Sequence, residues 1–395
     1  MLSRWMNRWR AVLAVSAVCA LAIVVAACGG SDSGSSGDSG GGASTTADSG
    51  SASIVSECED TLTQAKQPLK FEAPGPPIDV SKLKGKKVTF VSLAQSVPAI
   101  ADAANQTKEA GAELGIQVDI WDTKGDVRRM QQGIEQAVTQ KADAIILLGI
   151  PTSVTGNALK KAADAGIPVV SELNNEPDAA APGQGAGPNI YATTAPSYVE
   201  VGGWLACKAI VDTGGKANVV IFGAKELQPS AKEVEGMRAT LEKCSECKVD
   251  ENSTPVADWQ TRLPGLAQST IRKDPNVNYL LPLYDGMGIF VTTGVRQSGA
   301  TGKVKVASFN ASPPALELVQ AGDILTADPG QPPGWLAWGG LDQAMRGMLG
   351  EKPGTPKVPL RFFDSENLKG LDVKDQDALF GSEFRDGFRK LWGVG

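Results

Sequence analysis

Side chains able to hydrogen-bond or stack collect where strand-like runs give way to loops: Gln95, Asp122, Asn174, Glu226, Trp259, Tyr284, Asp285, Asn310 and Asp328, with apolar Ile150 at an equivalent point. Open α/β sheets bind ligands just outside the carboxyl ends of their strands, where loops and helix N-termini converge. Amides, carboxylates and aromatic faces at such points suit reversible capture of a small molecule. They suit turnover less well, because the sequence has no histidine, the commonest general base and zinc ligand, and no Gly-x-Ser-x-Gly elbow. An exported hydrolase using Ser/Lys or paired-carboxylate chemistry remains a competing reading. No catalytic residue, metal ligand or cofactor is assigned.

The elements that must position these residues alternate regularly. Short β-rich runs at 88–93, 117–121, 144–148 and 168–171 are separated by helical patterns at 99–114, 126–139 and 153–165, with Asp126 as a cap and Gly115 and Gly166 as closers. A second series follows, with strands at 218–222, 248–252, 279–281 and 303–308 and helices at 197–211, 230–242, 261–272 and 286–297. Near-continuously apolar strands mean burial on both faces, hence parallel sheets sandwiched by helices. The fold class is α/β with two doubly wound parallel-sheet lobes. Pro264 should make its helix start late or kink. Glu113, Glu135 and the charged run 232–235 read as solvated helix faces, and Trp335 with Trp338 as core.

Upstream, Arg4, Arg8 and Arg10 precede an apolar run ending in Val25-Ala26-Ala27-Cys28, the build of a secretory signal peptide. A cysteine after small residues also resembles the bacterial lipobox, which makes Cys28 a lipidation candidate; an ordinary cleaved signal is the alternative. Removing residues 1–27 takes away three arginines and no acid, moving the net charge from −6 to −9. That balance argues against a nucleic-acid partner. Residues 28–85 then read as the lipidated cysteine, a flexible Gly/Ser tether to Ser53 and a polar preamble. Of six cysteines, Cys58, Cys207, Cys244 and Cys247 are left for two disulfides outside the cell. The reading pairs Cys244 with Cys247 and Cys58 with Cys207, one of three connectivities; Cys-x-x-Cys could also be redox-active or half a zinc site.

From about Val88 to Phe362 the sequence resembles the type I periplasmic binding proteins, in the ribose-binding-like branch that serves ABC importers. The residues that carry this are Gly166-Ile167-Pro168-Val169-Val170, Ala257-Asp258-Trp259, Asp285 after a strand, Phe309-Asn310 after another, and the stretch from Asp328 to Gly334 before the last long helix. The resemblance implies two lobes, 86–195 plus 329–355 and 196–328 plus 356–395, joined by three crossing segments and closing over a solute. It implies delivery to an ABC permease by a monomer held at the membrane through its N-terminal lipid. A module presenting ligand to a receptor kinase would share the fold.

The resemblance also selects the ligand-binding set Gln95, Asn174, Trp259, Tyr284, Asp285, Asn310 and Asp328, with Trp259 in the family's stacking position. Each has a plainer reading: packing for the aromatics, helix capping for Asp285 and Asn310, a turn for Asp328. The pattern departs from sugar binders of the family. Leu173-Asn174 stands where Asp-Arg is usual, Ile150-Pro151 for Asn-Pro, Tyr284-Asp285 for Asn-Asp, and Ala99-Ile100 replaces an aromatic pair. Charge-assisted hydrogen bonds contribute about 1.5–3 kcal/mol each, so their loss disfavours a plain pentose. The expected ligand has more apolar or aromatic character, or is a modified sugar.

Overall fold

The computed structural model describes residues 46–177 and 187–394; the signal segment, Cys28 and the tether as far as Thr45 lie outside them. Helix α1 (Thr46–Ala65) comes first in the chain, and the first lobe then holds β1 (Lys87–Ser92), α2 (Pro98–Glu113), β2 (Gln117–Asp122), α3 (Val127–Thr139), β3 (Ala144–Leu148), α4 (Gly156–Asp164), β4 (Val169–Glu172) and β5 (Ala192–Thr194). The second lobe holds α5 (Tyr198–Asp212), β6 (Asn218–Gly223), α6 (Ser230–Leu241), β7 (Lys248–Ser253), α7 (Trp259–Lys273), β8 (Tyr279–Pro282), α8 (Asp285–Gln297), β9 (Lys305–Ala307), α9 (Pro313–Ala321) and β10 (Leu325–Ala327). The chain ends with α10 (Pro333–Leu349), α11 (Gln376–Phe380) and α12 (Glu383–Leu391).

Period-two alternation decides which helices cover which face of the first sheet. Val88, Phe90, Ile146, Leu148 and Val170 pack with α2, α10 and α12, whereas Val91, Ile145, Leu147 and Val169 pack with α3 and α4. Both sheets are wholly parallel, with orders β2-β1-β3-β4-β5 and β10-β9-β8-β6-β7. Read from the opposite edge, the second order repeats the first, so the two doubly wound lobes of the expected fold class are present. Asp126 caps α3 by accepting from the Arg129 amide, and Gly115 and Gly166 take the left-handed conformation just past α2 and α4.

Crossing segments run side by side between the lobes. The Val358 amide donates to Ala195 O at 3.1 Å, and Gly330 and Arg361 exchange backbone hydrogen bonds. The residues before β1 also cross. Ile54, Cys58, Leu62 and Ala65 of α1 pack into the second lobe, where Cys58 is disulfide-bonded to Cys207 of α5; Cys244 is joined to Cys247. The chain then passes to the first lobe, where the Phe71 ring lies 5.8 Å from Trp335 and 5.0 Å from Phe388. The Pro76 carbonyl accepts from Arg346 there at 2.9 Å.

Several expectations are corrected. The tether read as far as Ser53 and the polar preamble are replaced from Thr46 onward by α1 and a strap touching both lobes. Residues assigned to the second lobe from 356 onward divide: Leu360 to Phe380 do pack there, but α12 belongs with the first lobe, where Trp392 stacks on Trp338 at 5.1 Å. The late start expected of α7 does not occur; Pro264 sits inside it, and the carbonyl it leaves unserved belongs to exposed Gln260. Trp335 and Trp338 are core residues. Among the described residues no helix is long and apolar enough to cross a membrane.

Candidate functional site

The rim of the second sheet is built from the loops after β8, β9 and β10. Tyr284 closes β8 in extended conformation and Asp285 opens α8. The Asp285 amide donates to Phe309 O at 2.8 Å, and its carboxylate accepts from the Ser312 amide at 2.9 Å. That lashes the β8 and β9 loops together. Burial pushes the Asp285 carboxyl up, while hydrogen bonds from Ser312, Gly286 and Asn310 pull it back.

Asn310 and Ala311 have φ of 134° and 54°, conformations that favour glycine and cluster at ligand clamps. The Asn310 amide donates to Pro329 O at 2.9 Å, bringing in the loop after β10. Gly330 is required at this junction, since a Cβ there would lie 2.4 Å from that of Ala311. Asp328 is fully buried; its Oδ1 accepts from Ser308 Oγ at 2.9 Å and its Oδ2 has no partner. Burial raises this carboxyl well above the usual range and the neighbouring charge of Asp285 adds to the shift, while hydrogen bonds from Ser308 and from the Ala311 amide pull it back.

Trp259 and Tyr284 form the aromatic wall, with centroids 6.1 Å apart and planes 26° apart. The indole is fixed by donating to Thr254 O at 3.1 Å, and the Tyr284 hydroxyl lies 3.3 Å from Ser230 Oγ at the start of α6. A Cβ at Gly286 would lie 3.3 Å from the indole ring. One turn into α6, Glu233 is fully buried and neither carboxyl oxygen has a partner. Burial raises it well above the usual range, reinforced by Asp328.

The first-lobe rim is more self-contained. Asp122 accepts from the amides of Gln95 and Lys124 at 3.1 and 3.0 Å, and the Asn174 amide donates to Ser171 Oγ and Glu172 O at 3.0 and 3.1 Å. Gln95 Nε2 is a buried donor without a partner. Leu173, at φ 61°, offers its carbonyl to the Tyr198 hydroxyl at 3.0 Å; the Tyr198 ring meets Phe309 edge-on at 6.3 Å. That contact joins the Asn174 loop of one lobe to the Asn310 loop of the other.

Trp259, Tyr284, Asp285, Asn310 and Asp328 therefore form one contiguous set, linked through Tyr198 to the Asn174 loop, while Gln95 is fixed within the first lobe by Asp122. Ile150 is core, and Glu226 caps the turn before α7 by accepting from Val256. The reading of 232–235 as a solvated face fails at Glu233. A Cβ on Gly202 would lie 2.1 Å from Glu233 O and one on Gly236 2.0 Å from Val199 O, so α5 and α6 meet at backbone distance at the turn that carries the fully buried Glu233. Two glycines inside helical patterns were the available signal. Ser230, Tyr198 and Gln331 were also missed. Among the described residues no group of three or more His, Cys, Asp or Glu could hold a metal ion.

Comparison with known proteins follows the same lines. Residues 88–352 match the family model described as a periplasmic binding protein domain. The chain is 24% identical over 268 residues to the D-apiose import binding protein of Actinobacillus succinogenes, covering 66% of this chain and 79% of that one. It is 28% identical over 221 residues to a putative rhizopine-binding protein of Rhizobium meliloti, covering 53% and 67%. In fold it is similar to an ABC transporter solute binding protein from Agrobacterium vitis solved with bound allitol, with a TM-score of 0.65 at 20% identity over 74% of this chain and 99% of that one.

Proposed function

This chain belongs to the type I periplasmic binding protein family, and from that premise we propose that it captures a polyhydroxylated or modified-sugar solute between its lobes and hands it to an ABC permease. It works outside the cytoplasm. Binding shifts an equilibrium between open and closed lobes and leaves the solute chemically intact. The observation that carries this reading is the continuous wall of Trp259, Tyr284, Asp285, Asn310 and Asp328 at the carboxyl ends of the second sheet, joined through Tyr198 to the Asn174 loop. The relatives named for apiose import and rhizopine binding support a small polar solute. Tethering at Cys28 completes the proposal; Cys28→Ala should move the protein from the membrane fraction to the soluble one.

A thermal-shift screen of the purified chain against sugars, polyols and aromatic acids tests the solute site. A true ligand at a hundred times its dissociation constant should stabilise the fold by about 2.7 kcal/mol. Trp259→Ala should weaken that ligand about ten-fold, in line with the worth of an aromatic contact. Micromolar binding of unmodified ribose, galactose or xylose would overturn the reading that the departures at Leu173-Asn174 and Tyr284-Asp285 have moved specificity away from plain sugars.

A further inference from the structure

We infer that the solute carries a protonated amine, which docks between Glu233 and Asp328 while the rest of the molecule lies against Tyr284 and Trp259. The inference rests on the interlobe solute site proposed above and names the chemistry that site selects.

Its basis is an imbalance of donors and acceptors. Glu233 Oε1 and Oε2, Asp328 Oδ2 and Gln331 Oε1 are all buried, and none has a hydrogen-bond partner among the described residues. All four are carboxyl or amide oxygens. Asp285 adds a third buried carboxyl, already committed to Ser312. No lysine or arginine offsets them: the charge acting on Glu233 is that of Asp328, and the charge acting on Asp328 is that of Asp285. The cations of α6 are engaged elsewhere, Lys232 with Glu235 and Arg238 with Glu251.

Such a cluster of orphaned oxygens has two ways to be satisfied. With a neutral solute the carboxyls stay protonated or leave adjacent desolvated negative charges uncompensated, which is costly. With an ammonium, three strong donors meet the orphaned oxygens and the charge is cancelled where water is excluded. The adjoining Tyr284 and Trp259 faces also attract a cation. Gln95 Nε2, the unpartnered donor of the opposite rim, is suited to a hydroxyl oxygen of the same molecule. An amine-bearing polyol or sugar answers both walls.

Docking an ammonium requires Glu233 and Asp328 to release the protons that burial helps them keep. The other titratable groups near them are the Tyr284 hydroxyl, the Tyr198 hydroxyl on α5 and the Asp285 carboxyl beside Asp328; the tyrosines stay neutral and the Asp285 charge opposes that release. Affinity for an amine therefore rises with pH through the raised range in which these two carboxyls lose their protons. Affinity for a neutral polyol does not.

The test uses matched pairs with the purified full chain: glucose with glucosamine, galactose with galactosamine, and inositol with an inosamine. An amino member should bind at least about ten-fold more tightly than its hydroxyl twin, and Glu233→Gln should abolish that preference. Calorimetry of the unmodified protein in two buffers of different ionisation heat needs no variant and should show net proton release on amine binding. If the hydroxyl member binds as well as its amino twin, or the amine binds without proton release, the inference falls and the solute site stands. Binding of a neutral sugar outside the pairs, with no amine bound, would likewise sink the inference and leave the solute site standing. If neither amines nor neutral sugars bind at all, the solute-binding reading falls with it.

Discussion

The two lobes share one strand order, yet they give a buried carboxyl different surroundings. In the first lobe Glu172 ends β4 on the same face as Val170 and lies under α10, where Gly340 makes room for it: a Cβ there would fall 1.7 Å from Glu172 Oε1. In the second lobe Glu233 lies beside Asp328, Tyr284 and Ser230 at the rim. Both are fully buried without hydrogen-bond partners, but no other charge contributes to the Glu172 shift, whereas Glu233 feels Asp328. The Thr193 and Thr194 hydroxyls of the neighbouring strand β5 are also buried without partners, so Glu172 sits in a buried polar cluster to which no second charge contributes. Topology thus sets where a rim lies, and the inward side chains decide what chemistry it holds.

The sharpest way to break this contrast is to remove the first lobe's internal network. Asp342 accepts from Arg346 at 2.8 Å, from Gln343 at 2.8 Å and from the Trp392 indole at 2.9 Å, and Arg346 reaches on to Pro76 O. One carboxylate thus ties α10, α12 and the strap together. Asp342→Ala strands the Arg346 guanidinium in a site where it is 1% exposed and should cost about 3–5 kcal/mol in urea unfolding. Solute affinity should change little; a parallel collapse of binding would show that the lobes do not divide their work.

Next in size is the strap's fastening to the second lobe. Replacing Cys58 and Cys207 by serine frees α1 from α5 and should lower stability by about 2–4 kcal/mol. Phe71 and Pro76 still hold the far end, so the strap should loosen at α1 first. Hydrogen exchange should report this as faster exchange from 54–65 with the 71–78 segment still protected. Equal exposure of both segments would refute the two-ended strap.

Sequence made the sheets legible because β3 and its neighbours are buried on both faces, a pattern that survives without knowledge of contacts. The three-residue strands β5 and β10 escaped because so short a run carries no period; β9 is as short but falls within the longer strand-like run 303–308. Helix α1 could have been read from Ile54, Cys58, Leu62 and Ala65 at helical spacing, but the Gly/Ser composition upstream concealed its start. The lobe to which α12 belongs depends on Trp392 finding Trp338, a contact between residues far apart in the chain. Within the site, strand ends located Asp285, Asn310 and Asp328. Glu233 was hidden because Lys232 and Glu235 beside it are exposed, and only the close packing of α5 on α6 takes it out of water.

The smallest effect separates the two glutamates directly. Burial holds the Glu172 carboxyl well above the ordinary range, so the folded protein keeps a proton that the unfolded chain releases near pH 4.3. The stability this contributes is fully present below that unfolded value and is lost as pH rises through the folded one. Glu172→Gln keeps the neutral shape and has no proton to lose. Wild type and variant should therefore run parallel at pH 4 and diverge above it, the variant gaining at most about 1.4 kcal/mol per pH unit. Because Glu172 lies under α10 and not at the rim, solute should leave that divergence unchanged. A solute that altered it would place Glu172 in contact with the ligand, and the contrast between the two carboxyls would be lost.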